Sequence, residues 1–334
     1  MKFGVAVPNC CEGLIYPVGL SNHRSIVDLA VKAEELGFDS AWGNDHISTQ
    51  RYIKEFSKDP PNFFEPLITH AFIAQATGKL KMGTGIIALP YRDPVILAKQ
   101  VSTLDTLSGG RIILGLGTGA YREEFMAIHP SWAYEERGDL MDEAIEALRI
   151  LLTKPTASYD GKFIKFNQIE MYPKPKQKSL PLWMGGNSSR VLRRTGKIGD
   201  GWLPACLTPD QVRSGVNKIH EHARKSHRDS SRIEVGPQYM VSIGSSREEA
   251  SRNFKRSLSY KHLVSLQKTT LKGQSPDSYE RANLIDSPSG LVEHIDALEK
   301  AGVTYLPALI LMASSYEGIV EQATRFAKEV IPSF

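Results

Sequence analysis

The stretch LKMGTGIIALPYRDPVILAKQVSTLDTLSGGRIILGLGTG, which runs from Leu80 to Gly119, places a strand, a helix and a second strand in succession. The apolar runs at 80–90 and 111–119 predict the two strands. Between them, residues 93–110 begin with an Asp-Pro pair and end at two glycines, which is typical of a capped helix. Such a unit predicts two parallel strands joined by a right-handed crossover.

The same alternation of strand and helix extends along almost the whole chain. Eight apolar runs predict strands, at 3–8, 39–45, 80–90, 111–119, 180–186, 201–205, 233–244 and 303–311. Apolar residues at helical spacing predict helices at 24–37, 64–78, 93–110, 134–153, 208–225, 287–302 and 316–331, with a further helix between the fifth and sixth strands. Eight strand–helix units in 334 residues favour a closed (β/α)8 TIM barrel over an open doubly wound sheet, which shares this alternation.

Two inserts interrupt the regular rhythm of the chain. The segment 154–180 contains YDGKFIKF and PKPKQ, which predict a small hairpin followed by a linker rich in proline and lysine. The segment 245–288 is helical at first and then polar, with scattered glycine and proline. Because neither insert resembles a second core, we predict one domain over residues 1–334 with these two insertions.

Composition excludes several classes of protein. The net charge of +4 is spread along the sequence, whereas a nucleic-acid partner would require a clustered basic face. No run approaches the roughly 18 apolar residues of a membrane helix, and the N-terminus lacks the apolar region of a signal peptide. The three cysteines fit neither a disulfide framework nor a zinc site. We therefore expect a cytoplasmic protein with no metal, no membrane partner and no nucleic-acid partner.

The predicted barrel directs attention to the carboxyl ends of its strands, where the functional residues of such barrels lie. The fifth strand ends in two glycines, Gly185 and Gly186, followed by Asn187 and Ser188 at the start of a helix. Backbone N–H groups at a helix N-terminus bind phosphate, and the glycines would let a ligand approach. The alternative is structural, with Asn187 or Ser188 capping the helix and the glycines forming the turn.

The second strand ends in WGNDHIS, which contains Asp45 and His46. Histidine titrates near neutral pH and suits proton transfer, and a neighbouring aspartate could adjust its basicity. Adjacent residues on a strand, however, point to opposite faces. A histidine with a structural hydrogen bond is the alternative interpretation.

Glycines interrupt the third and fourth strands. Gly83 and Gly85 indicate a bulge or a close approach of the backbone to a flat ligand. The fourth strand ends in GLGTG, which includes Thr118. Its G-x-G-x-G spacing differs from the dinucleotide-binding pattern, and no clear helix follows at once, so it is a poor match to that fingerprint.

Taken together, these segments resemble the luciferase-like flavin and deazaflavin oxidoreductase family. The resemblance rests on ELGFDSAWGNDHI, on the stretch from Leu80 to Gly119, and on PKPKQKSLPLWMGGNSSRVLRRTGKIGDGWLP. ERGDLMDEAIEALRILLT and the closing helix also match, in order, whereas the insert at 245–288 is not matched. Within the family, the chain is most similar to the branch that uses coenzyme F420, a deazaflavin that carries hydride.

The resemblance implies a barrel with the cofactor across the strand ends and specific roles for nine residues. His46 would donate or accept the proton near the hydride carbon, with Asp45 beside it. A non-proline cis peptide bond between Gly85 and Ile86 would back the cofactor ring. The phosphate would lie on the loop formed by Gly185, Gly186, Asn187 and Ser188, and we also place Thr118 among the cofactor-binding residues.

One position departs from the family pattern. The sugar-phosphate dehydrogenases of this family carry an acidic residue after the GTG of the fourth strand, where this chain has Ala120. That difference argues against oxidation of a sugar phosphate. Glu123 and Glu124 follow closely, but the sequence does not place either of them in the site.

Three hypotheses for function follow from the resemblance. The first is transfer of hydride between F420 and a small organic substrate. The second is an FMN-dependent monooxygenase that receives reduced flavin from a separate reductase, and the third is a non-catalytic flavin- or deazaflavin-binding protein, against which the intact Asp45 and His46 argue. The loops at 48–63 and 245–288 would determine the substrate, and by analogy with the family we expect a homodimer.

Overall fold

The computed structural model describes residues 1–268 and 270–334, with the side chains of all of these except Phe56, Glu135 and Lys268. The strands are β1 (Lys2–Ala6), β2 (Ser40–Gly43), β3 (Lys81–Thr84), β4 (Ile87–Ala88), β5 (Ile112–Gly117), β6 (Thr156–Asp160), β7 (Lys165–Glu170), β8 (Leu182–Gly185), β9 (Gly201–Leu203), β10 (Glu234–Val235), β11 (Tyr239–Ile243), β12 (Leu284–Asp286) and β13 (Tyr305–Leu311). The α-helices are α1 (Leu29–Glu35), α2 (Arg51–Phe56), α3 (Pro66–Ala76), α4 (Pro94–Leu107), α5 (Arg122–Ile128), α6 (Arg137–Thr153), α7 (Ser189–Ile198), α8 (Pro209–Lys225), α9 (Arg247–Arg256), α10 (Leu258–Ser265), α11 (Pro288–Lys300) and α12 (Tyr316–Glu329).

The parallel strands close into a ring. Their hydrogen-bonded order is β10, β9, β8, β5, β3, β2, β1, β13 and β11, and β10 and β11 belong to the same stretch of chain. The short break between them also bonds to the sixth strand, since Gly236 N donates to Trp202 O at 2.9 Å and Gln238 N donates to Pro204 O at 2.8 Å. The eight predicted strands therefore form the expected TIM barrel.

Aromatic side chains fill the interior of the barrel. The ring centroids of Trp42 and Trp183 lie 5.5 Å apart, and Tyr305 packs edge-on against both rings. A Cβ atom at Gly83 would lie 2.4 Å from Trp42, and one at Gly201 would lie 2.4 Å from Trp183. The close approach that the sequence indicates at Gly83 is therefore made to a core tryptophan rather than to a ligand.

The predicted helices are present, and two further short helices correct expectations, of which α2 lies in the segment 48–63 that was expected to be a loop. The Asp93 carboxylate caps α4 by accepting hydrogen bonds from the amides of Val95 and Ile96, at 2.8 and 3.0 Å. After the GLGTG segment, where no clear helix was expected, α5 begins at Arg122. Its seven residues are too few to show helical periodicity in the sequence.

Both inserts adopt the predicted kinds of structure. In the first, β6 and β7 pair antiparallel as a hairpin. In the second, α9 and α10 precede β12, which pairs in parallel with β11. Asn283 holds the end of this insert against the barrel, since its Oδ1 accepts from the amide of Met240 at 2.9 Å.

None of the helices in the described part of the chain combines the length and apolar character that crossing a membrane requires.

Candidate functional site

A cavity of about 500 Å³ lies at the carboxyl ends of the barrel strands. It brings together all nine residues that the sequence and the family resemblance place in the site, which are Asp45, His46, Gly85, Ile86, Thr118, Gly185, Gly186, Asn187 and Ser188. Ala120 also lines this cavity. No group of three or more histidine, cysteine or acidic residues is placed to hold a metal ion within residues 1–268 and 270–334.

The bulge after β3 forms one wall of the cavity, which we call the floor and define as Gly85 and Ile86. The peptide bond between these residues is cis, as the family resemblance implies. The Ile86 side chain packs over two glycines of neighbouring strands. A Cβ atom at Gly185 would lie 2.4 Å from Ile86 Cγ2, and one at Gly117 would lie 2.8 Å from the same side chain. These glycines therefore leave the space that the floor residue occupies.

The loop between β8 and α7 leaves backbone donors available. The Ser188 side chain caps α7 by accepting a hydrogen bond from Val191 N at 3.4 Å. Asn187 is engaged elsewhere, because its side chain exchanges two hydrogen bonds with the backbone of Ala205, at 2.9 and 3.0 Å. The first-turn amides of α7 have no intrahelical acceptor, as at any helix start. The loop thus offers N–H groups and the Ser188 hydroxyl, but not the Asn187 amide, to an anion.

Three arginines lie near this loop, and two of them are neutralised. Arg194 Nε donates to Asp142 Oδ1 at 2.6 Å, and Arg190 also pairs with Asp142. Arg137 instead stacks on Tyr134, with its guanidinium carbon 3.7 Å from the ring centroid, and lines the cavity. Its buried Nε has no hydrogen-bond partner among the described residues. Its Nη1 donates to Tyr134 O at 3.2 Å. No carboxylate of the described residues pairs with Arg137, so it is the arginine of this group whose charge is left for a ligand.

His46 is held by a carboxylate from α5. Its Nδ1 lies 3.0 Å from Glu124 Oε2, and the other carboxylate oxygen accepts from the amides of Ile47 and Ser48, at 3.0 and 3.2 Å. Gln50 Nε2 also lies 3.0 Å from Nδ1, and the Gln50 carbonyl oxygen is buried without a partner. An ionised carboxylate can only accept, so we assign the proton to Nδ1, which leaves Nε2 to act as a base. The imidazole also packs against Phe63 and Tyr121, with ring centroids 5.4 and 5.8 Å away.

Glu124 stays ionised in spite of its burial. Burial alone would raise the pKa of this carboxyl group, but the hydrogen bond and the positive charge of His46 lower it, as do the two backbone amides. The net result is a pKa below the ordinary value. Glu124 therefore remains an acceptor for His46 across the neutral pH range.

Asp45 faces a different partner from His46. Its Oδ1 accepts from Arg92 Nη2 at 2.7 Å, and its Oδ2 accepts from the amide of Ala88 at 3.0 Å. Arg92 also reaches Glu65 at 3.0 Å. Both oxygens of Asp45 thus hold the chain that follows the floor, and the carboxylate that contacts His46 is Glu124.

The second insert covers the cavity. Residues 258–268 and 270–272, which we call the roof, contribute to the cavity lining three leucines and three polar residues, which are Leu263, Leu266, Leu271, His262, Thr270 and Lys272. Tyr279, from later in the same insert, holds this segment in place, since its hydroxyl donates to Leu263 O at 3.2 Å. The insert therefore forms part of the site.

Comparison with known proteins identifies the family. The family model for luciferase-like monooxygenases matches residues 1–305, which is most of the chain. The chain belongs to the luciferase-like monooxygenase family.

Relatives in this family differ in the cofactor that their names record. The FMNH2-dependent dimethylsulfone monooxygenase of Pseudomonas putida is 28% identical over 99% of this chain and 94% of its own length. The F420-dependent glucose-6-phosphate dehydrogenase of Amycolatopsis mediterranei is 29% identical, over 65% of each protein. The chain therefore belongs to a family of oxidoreductases that has both FMN-dependent and F420-dependent members.

Solved structures agree with the barrel. An F420-dependent secondary alcohol dehydrogenase in complex with an F420–acetone adduct superposes with a TM-score of 0.81 over 99% of this chain and 98% of that one. The two sequences are 19% identical, so this likeness supports the fold alone.

Three residues of this luciferase-like site were not placed by sequence reasoning. Glu124 is one of two adjacent glutamates that the sequence could not distinguish. Arg137 is the second residue of the ERGDLMDEAIEALRILLT segment, which predicted a helix and matched the family but marked no site residue. His262 lies in the unmatched insert, where no motif marked it. An alternation of strands and helices predicts which strand ends meet, but not which insert folds over them.

Proposed function

We propose that this protein is an F420-dependent oxidoreductase that transfers hydride between coenzyme F420 and a small organic substrate. The observation that carries the proposal is the His46 imidazole, which lies at the cavity with Nδ1 bound to the buried Glu124 carboxylate. Hydride transfer to or from an organic substrate requires a group that handles a proton at the same place.

The residues present fit a phosphorylated tricyclic cofactor. Ile86 offers a flat apolar floor, made accessible by the glycines beneath it. The N-terminus of α7, the Ser188 hydroxyl and the Arg137 guanidinium would hold the phosphate. Asn187 would act indirectly, since it ties the loop to Ala205. When bound, F420 supplies the hydride donor or acceptor.

The roles of the chain's own groups follow from their hydrogen bonds. His46 Nε2 holds or delivers the proton, while Glu124 fixes the tautomer and the orientation of the ring. Asp45 positions the floor through Ala88 and Arg92 instead of touching the reacting atoms. The roof leucines keep water from the cavity.

The second candidate is an FMN-dependent monooxygenase that receives reduced flavin from a separate reductase. The three leucines of the roof favour it, because oxygen chemistry on a reduced flavin requires that water be kept from the reacting atoms. The relative that matches over nearly the full length is an FMNH2-dependent monooxygenase. The same floor and phosphate loop would serve this cofactor.

Titration of the purified protein with F420 and with FMN distinguishes these proposals, read by absorbance and by quenching of cofactor fluorescence. Tight F420 binding with weak FMN binding supports hydride transfer. The reverse order supports the monooxygenase and a reductase partner. Binding without turnover of any substrate, and unchanged by replacement of His46, would support a non-catalytic binding protein.

Arg137 provides a specific test of the phosphate site. Arg137→Ala should weaken binding of the phosphorylated cofactor by roughly tenfold to a hundredfold, as expected for a lost hydrogen bond to a charged group. Arg193→Ala, which removes an exposed arginine from α7, is the matched control and should leave affinity unchanged. Equal affinities for riboflavin in all three proteins would confirm that the effect concerns the phosphate.

We also propose a homodimer in a reducing, cytoplasmic compartment. Ile68 and Phe72 lie one turn apart on α3 with 60% and 59% of their surface exposed, and Ile96 at the start of α4 is 59% exposed. Apolar side chains clustered on neighbouring helices are typical of a subunit interface. The three cysteines are unpaired and buried, which is consistent with a reducing compartment.

A further inference from the structure

A second histidine lines the cavity from the roof. His262 lies on α10, and its Nδ1 is 3.0 Å from the hydroxyl of Tyr52 on α2 and 3.4 Å from the hydroxyl of Tyr121 before α5. Ser265, one turn further along α10, lies 3.4 Å from the same Tyr121 hydroxyl. These contacts join the roof to two loops of the barrel.

The positions of the protons in this cluster follow from the donors and acceptors. Ser265 Oγ donates to the carbonyl of His262 at 2.7 Å, so it can only accept from Tyr121. Tyr52 is then placed to donate its proton to His262 Nδ1. With Nδ1 accepting, the proton of the neutral imidazole is on Nε2.

The imidazole of His262 stays neutral at every working pH. Burial, together with the positive charge of His46, lowers the pKa of His262 to about 3. Both histidines line the cavity, and Tyr121 contacts each of them, through its ring at His46 and through its hydroxyl at His262. His262 is thus a permanent N–H donor, in contrast to His46, which has a carboxylate partner.

The Nε2–H group of His262 is the donor of this cluster whose acceptor has not yet been named. It has no hydrogen-bond partner within residues 1–268 and 270–334, and Nε2 is not one of the side-chain atoms that are fully buried without a partner. His262 lines the cavity. A donor held at a cavity wall, with its ring fixed through the other nitrogen, is pre-organised to bind an acceptor on a ligand.

We propose that His262 is a substrate-binding residue, which donates a hydrogen bond from Nε2 to an oxygen atom of a small organic substrate. The proposal rests on the proposed function in that the cavity must hold substrate as well as cofactor. Tyr52 is the positioning residue, because it fixes the tautomer of His262. Leu263 and Leu266 from the same segment supply the apolar contacts.

A matched pair of ring compounds tests this assignment. Cyclohexanone carries an accepting oxygen, and methylenecyclohexane has the same shape with a CH2 group in its place. Their affinities are measured by ligand-observed NMR on protein loaded with whichever of F420 or FMN it binds. The wild type should bind cyclohexanone more tightly than methylenecyclohexane, by about threefold to tenfold, the range of one neutral hydrogen bond.

Three variants separate oxygen recognition from packing. His262→Phe should bring the affinity ratio of the two compounds close to one, and Tyr52→Phe should reduce it, because Nδ1 then competes for the ring proton. Leu263→Ala should weaken both compounds alike and leave the ratio unchanged. A preserved ratio in His262→Phe, or absence of saturable cyclohexanone binding to the wild type, would overturn the proposal.

Cofactor titration of each variant keeps this proposal distinct from the proposed function. If His262→Phe binds cofactor like the wild type and the ratio is preserved, the assignment of His262 fails alone. If the wild type binds neither cofactor, the proposed function fails, and the ratio then tests His262 on the cofactor-free protein.

Discussion

Glu124 shows how much a site can depend on a residue far away in the sequence. His46 and Glu124 are separated by 78 positions and meet because the loops after β2 and β5 converge on the same barrel mouth. The adjacent Asp45 looked like the natural partner in the sequence, but it points toward Arg92. The strand ends of the site could be predicted from the sequence, whereas this pairing depends on side-chain direction.

Replacement of Glu124 tests the proton-handling role of His46. In Glu124→Gln the amide NH2 would donate to Nδ1, so the proton of His46 moves to Nε2 and the base is lost. Turnover should fall by roughly a hundredfold, within the usual range for general acid–base catalysis, with cofactor affinity unchanged. Glu123→Gln changes the partly buried neighbour, whose Oε1 accepts from Arg51 N at 3.3 Å, and should retain activity within about twofold.

Glu124 also makes stability depend on pH. Its pKa is lowered by folding, so its contribution is present above the ordinary value of 4.5 and is lost as the pH falls through the lowered value. Urea unfolding should show Glu124→Gln less stable than the wild type by about 1 kcal/mol at pH 7, and a smaller difference near pH 3. A difference that grows toward acid pH would contradict this account.

At the scale of the elements, the floor depends on glycines in two neighbouring strands. Gly185→Ala places a methyl group against Ile86 Cγ2, and such overpacking costs about 1–3 kcal/mol of unfolding free energy. The double variant Gly185→Ala with Ile86→Ala should recover much of that loss, since the clashing side chain is gone. Thermal unfolding of the four proteins of this cycle measures the coupling, and additive effects would show that the two residues do not oppose each other.

The elements that the sequence predicted well are those with long periodic patterns or clear caps. Asp93 and its proline mark the start of α4, and apolar runs mark every barrel strand. The helices α2 and α5 were missed because six or seven residues contain less than two helical turns. The glycines at 83 and 201 were visible, but only the fold shows that tryptophan rings occupy the space beside them.

For the molecule as a whole, the exposed apolar face of α3 and α4 leads to a prediction about assembly. Light scattering should give the mass of a dimer for the wild type, and Ile68→Asp with Phe72→Asp should shift it toward the monomer of 37.1 kDa. Leu107→Asp, at the far end of α4, is the control, because it changes another exposed apolar residue outside this cluster. A monomeric wild type would overturn the dimer proposal.

The cavity is built from two independent sources. The barrel supplies the floor and the anion-binding loop, while one continuous insertion between β11 and α11 supplies the covering wall. Under the proposed roles of these two parts, exchange of this single segment during evolution would alter substrate preference and leave the proposed cofactor-binding part unchanged. A chimera that carries the corresponding segment of a relative would therefore be a rational starting point for engineering new specificity on this scaffold.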